Sequence, residues 1–133
     1  MTAHLLDTHV WAWDLKLDDQ LPKPMLDAID GADGAYVSVI SFYEIAQKVR
    51  LRKWPEMEPF ANNLAKALAE QGYQLANLTA EISQLAGLMD WDHRDPFDRM
   101  IAASSIHLKL PLISVDSAFD ELSSRKDWPG RIW

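Results

Sequence analysis

The 133-residue sequence contains no cysteine, which excludes disulfide bonds, thiolate metal sites and thiol catalysis. Its first residues, MTAHLLDTHVW, have no basic start and no apolar run long enough for a signal peptide. The uncharged stretches are also too short to cross a bilayer. These absences predict a soluble cytoplasmic protein with no membrane association.

Positive charge is scarce as well. The chain has 13 Lys and Arg residues against 20 Asp and Glu residues, a formal net charge of −7. A protein this acidic gains nothing from general attraction to phosphates, so tight non-specific binding of nucleic acid is not expected. If the substrate is a nucleic acid, a metal ion or a basic partner protein must supply positive charge locally.

No repeat, low-complexity tract or Gly/Ser linker divides the sequence, so residues 1–133 are predicted to form one domain. Short apolar runs alternate with helical patterns. The predicted strands are 3–6, 35–40, 73–78, 110–115 and the terminal RIW. The predicted helices cover about 8–17, 23–31, 41–53, 59–71, 79–89 and 96–108. This alternation predicts an α/β fold with a mostly parallel sheet of four to five strands and helices on both faces.

Four acidic residues fall where such a fold forms its functional crevice, at the carboxyl ends of the strands. Asp7 and Asp116 follow predicted strands, while Glu44 and Asp98 lie in the first turns of predicted helices. Each has an alternative role. Asp7 and Asp116 could be N-caps, Glu44 could complete a capping box with Ser41, and Asp98 could complement the helix dipole. Capping alone does not explain four acids that converge on one edge.

A cluster of carboxylates requires a cation. Two carboxylates about 5 Å apart repel by roughly 3 kcal/mol at an effective dielectric constant near 20. Oxygen ligands without cysteine or a spaced histidine pair select one or two Mg²⁺ or Mn²⁺ ions. Such ions activate water and stabilise the charge on a phosphate that is being displaced. The four histidines show no ligand spacing and are expected in packing or surface positions. They are His4, His9, His93 and His107.

The same residues carry a resemblance to a known family. Asp7-Thr8-His9 after an apolar strand, residues 38–45, 93–103 and 114–116 resemble, in this order, the PIN-domain nucleases. Within that family the chain is most similar to the VapC-type toxins of toxin–antitoxin pairs. The stretch HRDPFDRMIAAS is the most specific part of the likeness, which extends from Leu5 to Asp116.

This resemblance implies helices around a parallel sheet, divalent-metal-dependent endoribonuclease activity, inhibition by a small cognate antitoxin, and homodimerisation. By position, the family's acidic quartet matches Asp7, Glu44, Asp98 and Asp116. Asp98 takes the third place because DRMIAA matches the family's Asp-x-x-Ile-Ala-Ala pattern. The chain departs from close relatives at Tyr43, where Trp is common, and at Ser104-Ser105, where Gln-Ala or Thr-Ala is usual. Neither departure is expected to affect metal binding.

Four further residues are candidates for positioning ligands or substrate. Thr8 matches a small hydroxyl residue of the family and could bind a metal-bound water or phosphate, or cap a helix. Asp95 precedes Pro96, a natural first helical residue. It is therefore expected to be an N-cap or to contact the metal ligands without binding the metal itself. Arg94 and Arg99 could hold a phosphate or pair with a carboxylate, and pairing is favoured for Arg99.

Two other functions fit parts of the sequence less well than the nuclease. A haloacid-dehalogenase-type aspartyl phosphotransferase needs a second aspartate two residues after the first, where His9 stands. A PIN-fold binding module without catalytic activity is disfavoured because all four acids are present. A metal-dependent nuclease assay separates these possibilities.

Partner and substrate surfaces are predicted from two segments. The helix THVWAWDLKL is apolar on more than one face, so its second face is expected to be exposed and covered by an antitoxin segment. The helix 41–53 is the expected second wall of that groove. The basic stretch 50–54 could grip single-stranded RNA, bind a partner or form a solvated helix end.

Overall fold

The computed structural model describes residues 3–31 and 33–133, and within them the sheet is entirely parallel. Its five strands lie in the order β3-β2-β1-β4-β5. They are β1 (Ala3–Leu6), β2 (Gly34–Ser38), β3 (Gln74–Ala76), β4 (Leu112–Ile113) and β5 (Arg131–Ile132). The predicted parallel α/β fold is confirmed.

Six α-helices are present in the same described ranges. They are α1 (Thr8–Lys16), α2 (Lys23–Asp30), α3 (Val39–Arg50), α4 (Leu64–Gln71), α5 (Ala80–Leu88) and α6 (Pro96–Leu108). Two 3₁₀ segments, Pro55–Phe60 and Ser117–Ser124, complete the fold. The helix predicted over 59–71 is therefore shorter, because the chain from Pro55 to Phe60 winds into the first 3₁₀ segment. No helix in the described part of the chain is long and apolar enough to span a membrane.

The strand order reverses between β1 and β4, and this reversal positions the site. From β1 the chain moves outward through β2 to β3, then returns to place β4 on the other side of β1. Leu6 pairs with Ile113 in the β1–β4 ladder. The next residues, Asp7 and Ser114, therefore leave the sheet side by side at its carboxyl edge.

The central strands are buried on both faces, as expected for a sheet covered by helices on both sides. Leu5 and Leu112 belong to one hydrophobic cluster, while Leu6 and Ile113 belong to the other. All four are fully buried, and burying such a side chain contributes about 1.5–3 kcal/mol. Because successive side chains on a strand alternate between faces, this burial holds β1 and β4 in one register.

Helix α3 begins earlier than predicted. Its N-cap is Ser38, whose hydroxyl accepts a 3.1 Å hydrogen bond from the Ile40 N–H. The capping box predicted from Ser41 and Glu44 is therefore wrong. Ser41 is fully buried and its hydroxyl pairs instead with that of Thr8. Glu44 lies in the second turn and is free of the capping role.

Helix α1, which was expected to expose one of its apolar faces, is covered by the rest of the protein at Trp11. This side chain is fully buried, and its ring centroid lies 5.0 Å from that of Phe42. Its indole N–H donates a 2.8 Å hydrogen bond to Gln71 Oε1 at the end of α4. Helix α1 is covered on a second side by the rest of the protein, and the exposed apolar residue is Leu17, at the helix end.

Candidate metal centre

A cavity of about 400 Å³ opens at the carboxyl ends of β1 and β4. The four predicted acids all line it, although they come from four different segments of the chain. The residues that line this acidic cavity are Asp7, His9, Trp13, Glu44, Lys48, Asp95, Asp98, Val115 and Asp116. The structure thus brings together the side chains that the sequence placed at one edge of the sheet.

Asp7 is the most buried of the aspartates in the acidic cavity. Its Oδ1 accepts a 2.8 Å hydrogen bond from the Thr8 N–H, and its Oδ2 accepts a 2.6 Å hydrogen bond from the Ser114 hydroxyl. Burial raises the pKa of Asp7 to about 7, although the hydrogen bond from Ser114 opposes the shift. Repulsion from Asp98 and Glu44 adds to the increase in pKa. Asp7 therefore caps α1 and also experiences the other acids of the cavity.

Only one of the two carboxylate oxygens of Glu44 has a partner among the described residues. Its Oε2 lies 2.7 Å from Lys48 Nζ, one turn further along α3. Its Oε1 is buried and has no hydrogen-bond partner among the described residues. A buried acceptor without a partner is costly, by about 1–3 kcal/mol for a neutral group and more for a charged one. A cation bound in the acidic cavity would remove this cost.

Asp98 is the third residue of α6, as predicted, and its Oδ2 lies 2.6 Å from His93 Nε2. Burial raises the pKa of Asp98 to about 6, and the hydrogen bond with His93 opposes that shift. His93, which was expected in a packing or surface position, is thus a contact of a candidate ligand. Its ring also stacks on that of Trp91, with 4.7 Å between centroids.

Asp95 is the N-cap of α6, as predicted, and its Oδ1 accepts a 2.9 Å hydrogen bond from the Phe97 N–H. Its carboxylate nevertheless belongs to the cavity. One ligand atom each from Asp95, Asp98 and His93 lie within 4.8 Å of one another, so these residues could together hold an ion. Capping and proximity to the site are therefore compatible for Asp95.

Asp116 also combines capping with a place in the acidic cavity. Its Oδ1 accepts a 2.9 Å hydrogen bond from the Ala118 N–H at the start of the second 3₁₀ segment. Its own N–H donates a 3.0 Å hydrogen bond to the Ser114 hydroxyl oxygen. Ser114 therefore links Asp116 to Asp7 through one hydroxyl group.

Thr8, Arg94 and Arg99 are not among the residues that line the acidic cavity. Thr8 is buried, and its hydroxyl lies 2.8 Å from that of Ser41, which ties the start of α1 to α3. Arg94 is exposed. The predicted pairing of Arg99 with a carboxylate is wrong, because its guanidinium donates to backbone carbonyls at 2.5–2.9 Å. The acceptors are the carbonyl oxygens of Ala86, Met89, Trp91 and His93.

Three contacts of the acids were missed by sequence reasoning: Ser114, Lys48 and His93. Ser114 is 107 positions from Asp7, and no local pattern connects residues so far apart. Lys48 stands four residues after Glu44, and this helical spacing is the one signal that could have revealed the ion pair. The loop that carries His93 is fixed by Arg99, so its contact with Asp98 depends on tertiary structure.

The donor set fits a divalent cation. Asp7, Glu44, Asp98 and Asp116 offer carboxylate oxygens, and the chain has no thiolate to favour a softer metal. The buried Glu44 Oε1 has no hydrogen-bond partner among the described residues. Burial raises the pKa values of Asp7 and Asp98, and repulsion between the acids adds to both increases. The arrangement could therefore hold a divalent cation.

A parallel sheet with carboxylates gathered where its strand order reverses defines an α/β protein with a candidate divalent-metal centre. A sequence model of the PIN domain matches residues 4–124. The chain therefore belongs to the PIN domain family, and the resemblance predicted from its motifs is confirmed. No curated protein matches it in sequence.

Solved structures show the same fold at low sequence identity. A toxin–antitoxin complex from Klebsiella pneumoniae superposes with a TM-score of 0.64 and 13% identity, covering 98% of this chain and 96% of that chain. VapBC2 from Rickettsia felis, bound to a DNA fragment from its promoter, gives a TM-score of 0.69 and 15% identity, covering 99% of both chains. FitAcB from Neisseria gonorrhoeae superposes with a TM-score of 0.54 and 20% identity, covering 90% of this chain and 92% of that chain.

Proposed function

We propose that this protein is a divalent-metal-dependent endoribonuclease that hydrolyses phosphodiester bonds in single-stranded regions of RNA. The observation that carries the proposal is the acidic cavity, where carboxylates from four separate segments meet and one buried glutamate oxygen lacks a partner. An acidic site of this kind cannot approach a polyanion unless cations enter it.

Asp7, Glu44, Asp98 and Asp116 would hold one or two Mg²⁺ or Mn²⁺ ions, which supply an activated water and neutralise charge on the phosphate. Other residues of the chain orient these ligands through hydrogen bonds. Ser114 fixes the carboxylate of Asp7, and His93 fixes that of Asp98. Burial raises the pKa of Asp7 to about 7 and that of Asp98 to about 6, and a bound cation would favour the deprotonated form of each.

The biological role that we propose is that of a VapC-type toxin acting in the cytoplasm. Two of the structures with the same fold are a toxin–antitoxin complex and a VapBC2 assembly, which supports a cognate antitoxin as the partner. We expect a basic side chain of that antitoxin to reach the carboxylates and to supply the positive charge the cavity lacks. Homodimerisation is part of the same proposal.

The test is cleavage of single-stranded RNA by the purified protein. Cleavage should require Mg²⁺ or Mn²⁺ and should stop when EDTA is added. Asp7→Asn should lose activity by orders of magnitude and keep its circular dichroism spectrum, since Asn can still accept the hydrogen bond from the Thr8 N–H. Undiminished cleavage in EDTA would falsify the metal mechanism. RNA binding without any cleavage would favour the inactive binding module.

A further inference from the structure

Four aromatic rings form a row that begins at the wall of the acidic cavity. His9 stacks on Trp54, with 4.7 Å between centroids and 29° between planes. The His9 ring centroid also lies 6.2 Å from that of Trp13, and the Trp13 centroid lies 5.9 Å from that of Trp133. His9 and Trp13 are one helical turn apart on α1 and both line the cavity. We call these four residues the aromatic row.

The aromatic row is only partly buried in the hydrophobic core. His9 and Trp133 are exposed, and Trp13 and Trp54 are half-buried, with the hydrophobic core behind them. The contrast with Trp11, on the same helix, is direct, because Trp11 is fully buried. The row therefore presents ring surface to solvent next to the carboxylates.

The ammonium group of Lys48 lies close to the row. Lys48 Nζ lies 5.5 Å from the centroid of the Trp54 ring and 2.7 Å from Glu44 Oε2. This ammonium group thus stands between the ring and the acidic cavity. The chain as a whole is acidic, with a net charge of −7, so general attraction to phosphates contributes little to its affinity for RNA.

We infer that the aromatic row is a stacking platform for unpaired nucleobases of the RNA strand whose phosphate enters the acidic cavity. The inference rests on the proposed ribonuclease function and specifies how substrate is held. Stacking on aromatic side chains tolerates any base and does not depend on phosphate contacts. It also restricts the site to single strands, because paired bases cannot present their faces.

The test uses the Asp7→Asn protein with Mg²⁺, so that RNA is bound without being cut. Two fluorescent probes are compared by anisotropy: a short uridine oligoribonucleotide and an abasic oligomer with the same ribose-phosphate backbone. When Trp54→Leu or Trp133→Leu is introduced into the Asp7→Asn protein, binding of the uridine probe should weaken by about 5- to 150-fold for each lost stack. Binding of the abasic probe should be weak and should not change with either substitution.

Controls separate stacking from folding. Trp54→Phe keeps an aromatic ring and should retain most of the affinity for the uridine probe. Tyr43→Leu removes an aromatic side chain that is 58% exposed and lies outside the row. This second substitution should leave the affinity unchanged. Unchanged uridine binding in the Trp54→Leu and Trp133→Leu proteins, or equal affinity for both probes, overturns the inference and leaves the row to a protein partner. Metal-dependent cleavage by the unmodified protein is scored separately, so either proposal can fail alone.

Discussion

The hydroxyl of Ser114 donates a 2.6 Å hydrogen bond to Asp7 Oδ2 across the β1–β4 junction. Both residues leave the sheet immediately after the paired Leu6 and Ile113. The same hydroxyl oxygen accepts a hydrogen bond from the Asp116 N–H. One buried side chain therefore orients two of the proposed metal ligands, and its position is set by the pairing of two short strands.

Ser114→Ala should weaken metal binding without unfolding the protein. The hydrogen bond from Ser114 lowers the pKa of Asp7, so its loss raises that pKa further and makes the carboxylate a poorer ligand. Loss of a group that orients a metal ligand typically costs about 10- to 100-fold in affinity. Calorimetric titration with Mn²⁺ measures the change, with Ser117→Ala, an exposed serine nearby, as control. Equal affinities in the two variants would show that Ser114 does not support the site.

Asp95→Asn and Asp98→Asn should behave differently although both residues lie at the start of α6. Asn caps helices about as well as Asp, so Asp95→Asn should keep the melting temperature and lose only a modest part of the activity. Asp98→Asn removes a proposed charged ligand, so metal affinity and turnover should collapse. Its melting temperature without metal should hold or rise, because a repelling charge is gone. If Asp95→Asn is inactive and Asp98→Asn active, the third ligand is Asp95.

The metal-free protein should become less stable as the pH rises from about 4 to about 7. The pKa of Asp7 in the folded protein is about 7, above its ordinary value of 3.8, so folding favours the protonated form. That contribution to stability is fully present below about pH 4 and is lost as the pH rises through about 7. Asp98, with a pKa of about 6, adds a similar contribution that is lost at slightly lower pH.

Thermal unfolding in EDTA at about pH 5 and about pH 8 measures this dependence. Asp7→Asn should reduce the difference between the two melting temperatures, because the group that binds the proton is absent. Mg²⁺ added at the higher pH should restore stability to the unmodified protein. An identical pH dependence in Asp7→Asn would show that Asp7 does not titrate in this range.

Lys48→Met should destabilise the metal-free protein and enlarge the stabilisation that metal provides. Lys48 is the ion-pair partner of the buried Glu44, and removal of that partner leaves a buried charge uncompensated, at a cost of about 1–3 kcal/mol or more. Metal then restores the missing positive charge, so the melting temperature should rise further with Mn²⁺ than it does in the unmodified protein.

The matched control is Lys66→Met. Lys66 forms an ion pair with Glu70 at the same helical spacing, but both side chains are exposed, so its loss should change stability by less than about 1 kcal/mol. A metal-induced shift that is the same in Lys48→Met as in the unmodified protein would contradict the role assigned to Lys48.

Local signals in the sequence determined much of the fold. The apolar run AHLL, which Asp7 follows, forms β1 with the predicted bounds. Helix α6 begins at Pro96 with Asp95 as its N-cap, as predicted. These boundaries depend on residues close together in the chain, such as a cap and the N–H group that it accepts from. The order of the acids along the chain likewise indicated which edge of the sheet they share.

Local signals failed where two residues could serve equally well. Ser38 and Ser41 are both good N-caps, and the sequence favoured Ser41 because Glu44 follows it. Burial of Ser41 against Thr8 decided for Ser38. Trp11 and Trp13 are likewise equivalent in an apolar pattern. Only the packing of α1 against Gln71 and Phe42 buries Trp11, while Trp13 is left at the acidic cavity.

The sequence by itself determined the residue types of the candidate site and the places of Asp7, Asp98 and Asp116 at strand and helix ends. The place of Glu44, in the second turn of α3, followed only from the structure. Tertiary structure alone decided which groups hold the acids: Ser114 on Asp7 and His93 on Asp98. The physical reason is one of range. Capping and periodicity act over a few residues, whereas these contacts require the register of β1 with β4 and the anchoring of a loop by Arg99, which burial of the core fixes for the whole chain at once.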